Sequence, residues 1–268
     1  MDTPPSQPPG RAQESPAGSI IRLSVIVYAA VIMVTVLSIV VWRWMAPAER
    51  AIARAHSQGP EAIQNMIYIE GGTFLAGADK RPVTLNPFYI DRTEVTAGDY
   101  CAMMRCNGIA GSPDLPAVNV TIAEARHYAM RLGKRLPTRL EWERAARGVN
   151  GNLYPWGDAE DPTLANVADN SSLGGERLAP VKAFRAYPEY QMIGNAWEMV
   201  EGPARPAPED VAGFANLLKP PPTAAESWIA VKGGSFREPL SSGVAWKSHL
   251  IPERYSAADI GFRCVKDP

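Results

Sequence analysis

Six side chains in this sequence are of the types that bind soft metals or act as nucleophiles: Cys101, Cys106 and Cys264, with His56, His127 and His249. Their spacing argues against most of that chemistry. No Cys-x-x-Cys pair occurs and the histidines are far apart, so a zinc site is not expected. His249 stands alone, and a lone imidazole makes a poor copper or iron site. No nucleophile lies at a recognisable spacing from it, so no catalytic triad is expected. Cys101 and Cys106 are five residues apart at the end of a predicted helix. Positions i and i+5 of a helix do not face each other. A disulfide therefore requires the helix to fray before Cys106, a turn that Asn107-Gly108 favours. Two reduced core cysteines are the alternative.

The elements that must position these residues are legible in part. Met66 to Ile69 and Thr73 to Leu75, around Gly71-Gly72, read as a strand pair, and Phe88 to Asp91 as a further strand. Glu94-Val95-Thr96 leads into a helix over about residues 97–105. Thr121-Ile122-Ala123-Glu124 is a capping box. It opens a helix whose apolar face is Ile122, Ala125, Tyr128, Ala129 and Leu132, with Gly133 as its stop. Thr138 to Glu141 repeats the device, with Trp142, Ala145 and Ala146 facing inward and Gly148 ending the helix. Residues 149–182 are rich in Gly, Asn, Asp and Pro and read as ordered loops. Residues 203–222 are proline-rich and read as an exposed insertion.

Composition narrows the function class. A formal net charge of -1 over 268 residues gives no basic field for nucleic acid, so no nucleic-acid partner is expected. Residues 1–22, rich in Pro, Ser, Gln and Gly near their start, read as a disordered tail. Leu23 to Trp42 is a run of 20 residues without charge, bounded by Arg22 and Arg43. A helix of that length, at about 1.5 Å per residue, spans a hydrocarbon core of about 30 Å. Tyr28, Trp42 and Trp44 suit the interfaces, and Trp42-Arg43-Trp44 makes a poor signal-peptide cleavage region. Residues 23–42 are therefore expected to be a single transmembrane helix and residues 43–65 a juxtamembrane linker. Arginines are nearly balanced across the span and do not set its orientation. Cys101 and Cys106 favour an oxidising compartment for the large domain and a cytoplasmic tail.

From Met66 onward the chain carries an ordered set of short blocks. They are Met66 to Gly77, Asp91 to Thr96, Pro116 to Thr121, Leu132 to Thr138 with Glu141 to Gly148, Tyr154 to Gly157, Ala165 to Val167, Met192 to Glu198, Gly233 to Phe236 and Gly261 to Cys264. Together these resemble the formylglycine-generating enzyme (sulfatase-modifying factor) family. The resemblance covers residues 66–268 and implies an α+β domain of the C-type-lectin-related kind, preceded here by the transmembrane helix. In active members two cysteines follow the Gly-Gly-Ser turn by about three and eight residues, bind copper and attack a substrate thiol. Here those places hold Glu238 and Gly243, and no cysteine lies between Ser235 and Arg263. Neither residue is a soft ligand, so no copper and no formylglycine formation are expected. Calcium is implied at two places: one with the Gln191 side chain, the carbonyls of Gly194 and Ala196 and the Glu198 carboxylate, the other starting with Asn166 and the Val167 carbonyl. Such hard oxygen donors suit calcium. Loop bracing by Asn195 and Glu198 is the alternative. Cys264 pairs in some relatives with a cysteine where this chain has Ala129, and is expected to be a buried free thiol.

Two functions from different classes fit this reading. The first is a membrane-anchored, non-catalytic module in a bacterial-type inner membrane, with its domain in the periplasm. It would recognise a protein or peptide of an envelope assembly or signalling system, with Glu238, Trp246 and Lys247 as the contact residues. Family habit supports the extracytoplasmic placement. The second is a cysteine-independent oxidoreductase or maturation enzyme in which Glu238, buried in the old pocket, acts as acid or base. Against the second stands an ordinary surface pairing of Glu238 with Arg237, Lys247 or Arg254.

Overall fold

The computed structural model describes Met33, Ile63 and residues 65–106, 111–170, 177–183 and 191–268. The expected tail, transmembrane helix and nearly all of the linker lie outside the described residues, as does the Asn107-Gly108 turn. Among the described residues no helix is long and apolar enough to cross a membrane. The chain divides into two compact units, residues 1–57 and 58–268.

The second unit is an α+β domain with three small sheets. Strands β1 (Met66–Ile69), β4 (Phe88–Asp91) and β9 (Val265–Lys266) form one, with β4 central. Strands β2 (Gly72–Ala76) and β3 (Arg81–Leu85) form a hairpin. The third sheet has the order β7-β6-β5-β8, from β5 (Trp197–Val200), β6 (Trp228–Lys232), β7 (His249–Pro252) and β8 (Ile260–Gly261). The expected pairing of Met66–Ile69 with the next strand is corrected. β1 pairs antiparallel with β4, while β2 pairs with β3, a strand that its arginine and proline hid. A Cβ on Gly71 would lie 2.8 Å from the Pro87 ring, so this glycine serves the close packing of the segment entering β2 against the segment leaving β3, not a turn that pairs β1 with β2.

Every residue of β5 and β6 is buried, because both faces of the sheet are covered. Side chains alternate across a strand. Val200 and Ala230 enter one core with Trp142, Ala145, Ala146, Tyr154 and Met192. Trp197, Met199, Ile229 and Val231 enter the other, with Ile122, Ala125, Tyr128, Ala129 and Phe262. The two capped helices thus lie on opposite faces. Helix α2 (Ile122–Arg131) and helix α3 (Arg139–Arg147) both show the full capping box, Thr121 with Glu124 and Thr138 with Glu141. Gly148 caps α3 at φ 66°.

Helix α1 (Ala97–Met104) ends where Arg105 takes a left-handed conformation, φ 58°. That reversal brings Cys106 back to 4.8 Å from Cys101, Cα to Cα, and the two are disulfide-bonded. Cys264 is a buried free thiol, as expected. The proline-rich stretch is less detached than its composition implies. It contains a short helix α4 (Pro208–Gly213), and Phe214 packs edge-on against Trp228 and Tyr255, 5.7 and 4.9 Å between ring centres.

Candidate functional site

The Gly-Gly-Ser turn leaves β6 with Gly233 at φ 93° and Gly234 at φ 80°, backbone that side chains rarely adopt. Gly243 sits against this turn in the short 3-10 segment Leu240–Gly243. A Cβ on Gly243 would meet the Gly233 carbonyl oxygen and Ile193 Cγ2, each at 2.7 Å. Backbone therefore packs against backbone at the second of the two places where active relatives carry a thiol, and the space for one is filled. Ser235 holds the turn from the other side: its Oγ lies 3.0 Å from Asp259 Oδ2 and accepts from the Arg237 N–H.

Glu238 stands at the first of those places. Its backbone is pinned, accepting from the Ala168 amide and donating to the Ser235 carbonyl. Its side chain is half-exposed and makes no ion pair among the described residues. The expected surface partners are engaged elsewhere: Arg237 lies over the Phe236 ring, Lys247 donates to the Ser241 carbonyl at 2.9 Å, and Arg254 pairs with Glu226. The expected acid–base chemistry at Glu238 rests on burial, and the residue is only half-buried. Lys247 also lies over the Trp246 ring, 5.8 Å from Nζ to its centre, and both residues are half-buried.

Of the residues expected to hold calcium, Asn166 and Gly194 are brought together. Asn166 and Gly194 form a parallel bridge, and the Asn195 N–H donates to the Asn166 carbonyl at 2.8 Å. The glycine at 194 is required, because a Cβ there would strike that same carbonyl. Asn195, at φ 63°, accepts from Asn166 Nδ2 and the Ala179 N–H, and donates to Glu94 Oε1 at 2.9 Å. The Val167 carbonyl accepts from the Asn170 N–H. Asn195 braces a loop amide, that of Ala179, whereas Glu198 bonds to side chains.

Glu198 departs from its expected role as a metal carboxylate. Arg263 Nε and Nη2 donate to its two oxygens at 2.6 Å, and Trp142 Nε1 adds a third bond at 2.7 Å. Arg263 is fully buried and also donates to the carbonyls of Asp91, Arg92 and Gln191. A guanidinium that makes both oxygens of a carboxylate its own leaves little negative charge there for a second cation. The free charge lies next door. Glu94 is buried, and its Oε2 has no hydrogen-bond partner. Burial first, and then the Glu198 charge, raise its pKa from 4.5 to about 7. Among the described residues no three His, Cys, Asp or Glu side chains are grouped to hold a metal, so carbonyl oxygens would have to complete any site. An orphaned buried carboxylate oxygen beside such a loop fits a cation. Glu94 and Arg263 are the residues that sequence reasoning missed. The signal for Arg263 was a charged side chain inside the otherwise apolar block Gly261-Phe262-Arg263-Cys264; Glu94, among Asp91, Arg92 and Thr93, carried none.

Comparison with known proteins agrees with this geometry. Residues 52–268 match the family model described as sulfatase-modifying factor enzyme 1-like domain. The chain is 28% identical to the inactive C-alpha-formylglycine-generating enzyme 2 of Mus musculus, over 83% of this chain and 90% of that protein. It is 27% identical to the formylglycine-generating enzyme of Thermomonospora curvata, over 78% of this chain and 95% of that one. Among solved structures, Treponema denticola variable protein 1 superposes with a TM-score of 0.59 at 19% identity, covering 76% of this chain and 95% of that one, a likeness of fold. The chain belongs to the sulfatase-modifying factor enzyme 1-like, or formylglycine-generating enzyme, family.

Proposed function

We propose that this protein is a non-catalytic member of its family: a membrane-anchored domain, placed outside the cytoplasm, that recognises a protein or peptide partner of the cell envelope. The observation that carries the first part is the packing of Gly243 on Gly233, which fills the place of one thiol, with half-exposed Glu238 at the other. The relative named as inactive is support of the same kind. Leu23 to Trp42 supplies the anchor, and the Cys101–Cys106 disulfide favours an oxidising compartment. Glu238, Trp246 and Lys247 form the contact surface. Lys247 lies over Trp246 and donates to the Ser241 carbonyl of the 240–243 turn, which tethers the aromatic and the cation to one turn.

Calcium is part of the proposal. Glu94 and the 191–198 loop would hold it, and its role there is to neutralise the orphaned Glu94 oxygen and stiffen the loop. The test of function has two arms. A sulfatase-type cysteine peptide is incubated with the full-length chain, copper and oxygen, and the expected result is no mass loss at the substrate cysteine. Photo-crosslinkers placed at Trp246 and Lys247 in native membranes should capture one protein in constant yield, and Glu238→Lys should reduce that yield. Turnover in the first arm, or crosslinks indifferent to charge reversal in the second, overturns the reading.

A further inference from the structure

A cavity of about 680 Å³ opens between the β2–β3 hairpin, helix α3 and the strand ends of the third sheet. Its lining includes Arg139, Glu143, Lys232, Trp246 and Ser248. At its inner end two opposite charges are buried, with side-chain exposures of 2% for Lys232 and 6% for Glu143. Glu143 Oε1 is fully used, accepting from the Gly77 N–H and from Arg147 Nη1, both at 2.6 Å. Glu143 Oε2 has Lys232 Nζ as its nearest cation at 3.9 Å, beyond hydrogen-bond reach. Lys232 Nζ donates to the carbonyls of Trp246 and Lys247, at 3.2 and 2.9 Å, which leaves the third of its three N–H bonds. Glu143 Oε2 and Lys232 Nζ thus lie on either side of one gap at the inner end of the cavity.

A gap of 3.9 Å between two such charges admits one bridging oxygen about 2.8 Å from each. That oxygen must accept from the ammonium and donate to the carboxylate, which a ligand hydroxyl can do in place of a water and a carboxylate cannot. Further out, Ser248 Oγ accepts from Arg139 Nη2, so its own hydrogen remains to donate. Trp246 adds an aromatic surface. The charges lining the cavity balance formally, Asp79, Glu143 and Glu201 against Arg81, Arg139 and Lys232; Arg81 pairs with Asp79 and Glu201 with Arg126, while Arg139 donates to the Pro203 carbonyl and to Ser248. Scattered donors and acceptors beside an indole, with little net charge left, match a ring that carries several hydroxyls on an apolar face. We propose that this cavity is a binding site for a neutral polyhydroxylated ligand of the saccharide class, with one hydroxyl bridging Glu143 and Lys232 and the ring lying on Trp246.

The site shares Trp246 with the proposed partner surface but not Glu238. It is held in place by Arg147, whose buried guanidinium ties Gly77 of the hairpin to the end of α3 through the carbonyls of Gly77, Gly151 and Asn152. Burial lowers the Lys232 pKa from 10.5 to about 8, so the ammonium donor is present at neutral pH and lost in mild alkali.

The test is saturation-transfer NMR on the full-length chain with D-glucose, N-acetyl-D-glucosamine, D-glucuronate and inorganic phosphate as probes. A neutral sugar should saturate, and its affinity should fall about tenfold or more in Trp246→Ala and in Lys232→Met, since a hydrogen bond to a charged group is worth about that much. Tyr68→Ala, on β1 and outside the cavity lining, should leave binding unchanged. Should Lys232→Met fail to fold, Trp246→Ala decides alone. Preference for glucuronate or phosphate, no saturable binding, or binding indifferent to Trp246→Ala each overturns the assignment. A bridging water that no sugar displaces does the same.

Discussion

The Glu198–Arg263 pair and the Glu238–Gly243 turn differ sharply in how they are held. The first is a pair of charges, fully buried and bonded to three further segments of chain: α3 through Trp142, the 91–92 carbonyls and Gln191. The second carries no thiol; one place is solid backbone and the other a half-exposed carboxylate. The cost of substitution differs accordingly. Taking one partner from a buried ion pair leaves an unpaired charge in low dielectric, which is prohibitive in a domain of ordinary stability. A turn that holds no buried charge can change its side chains without stranding one, so substitution there costs the fold less.

Breaking the buried pair should give the largest effect. Glu198→Ala strands Arg263 and should cost about 3–5 kcal/mol, enough to unfold most of the protein, as read by urea denaturation. A midpoint unchanged from the parent would mean that the pair holds nothing. The variant is accordingly a poor probe of calcium, since it removes the fold along with any ligand.

Glu94 is the better probe, and its titration has a definite sign. Its folded pKa is about 7 against 4.5 for an ordinary glutamate. Between those values the folded state keeps a proton that the unfolded chain has released. The folded state binds more protons, so stability falls as pH rises from about 4.5 to about 7, by about 3 kcal/mol in all. Without calcium the melting temperature should decline across that window, and Glu94→Gln should flatten the decline. Calcium should restore the loss above pH 7 in the parent and do nothing in the variant. Equal calcium shifts in both would move the cation elsewhere.

Gly243→Cys tests the turn. Its Cβ would lie 2.7 Å from the Gly233 oxygen and from Ile193 Cγ2, so the turn must move. A cost of about 1–3 kcal/mol is expected, as for overpacking in a tight core. The double replacement with Glu238→Cys should remain inactive with copper, because the thiols would lack the geometry of a preformed pair. A stable, copper-binding double variant would show that the turn yields more easily than its contacts indicate.

These contrasts explain how much was legible in advance. The capping boxes, the inward faces of Trp142 and Tyr128, the end of helix α1 near Cys106 and the family blocks were readable because each rests on spacing within a few residues. The partner exchange between β1 and β4 was not, since Gly71-Gly72 has the same composition whether the chain turns or packs closely there. Nor was the true partner of Glu198, because Arg263 lies 65 residues away and its apolar block marks it as buried without saying which carboxylate it meets. Pairings over such distances are set by topology.

Glu238→Ala should give the smallest effect on the fold and is for that reason the sharpest test of what replaced the chemistry. The side chain is half-exposed and makes no ion pair among the described residues, while its backbone bonds to Ala168 and Ser235 survive any substitution but proline. Stability should therefore change by no more than about 0.5 kcal/mol. If the carboxylate is retained as a contact for a partner, the same change should weaken that interaction and Glu238→Lys should weaken it further, because an exposed charge meets its complement mainly through steering and register. The salt dependence of association should fall in step. Partner binding that ignores both substitutions would leave Glu238 as a residue that merely fills a vacated position, and would shift the search to Trp246 and the cavity beneath it.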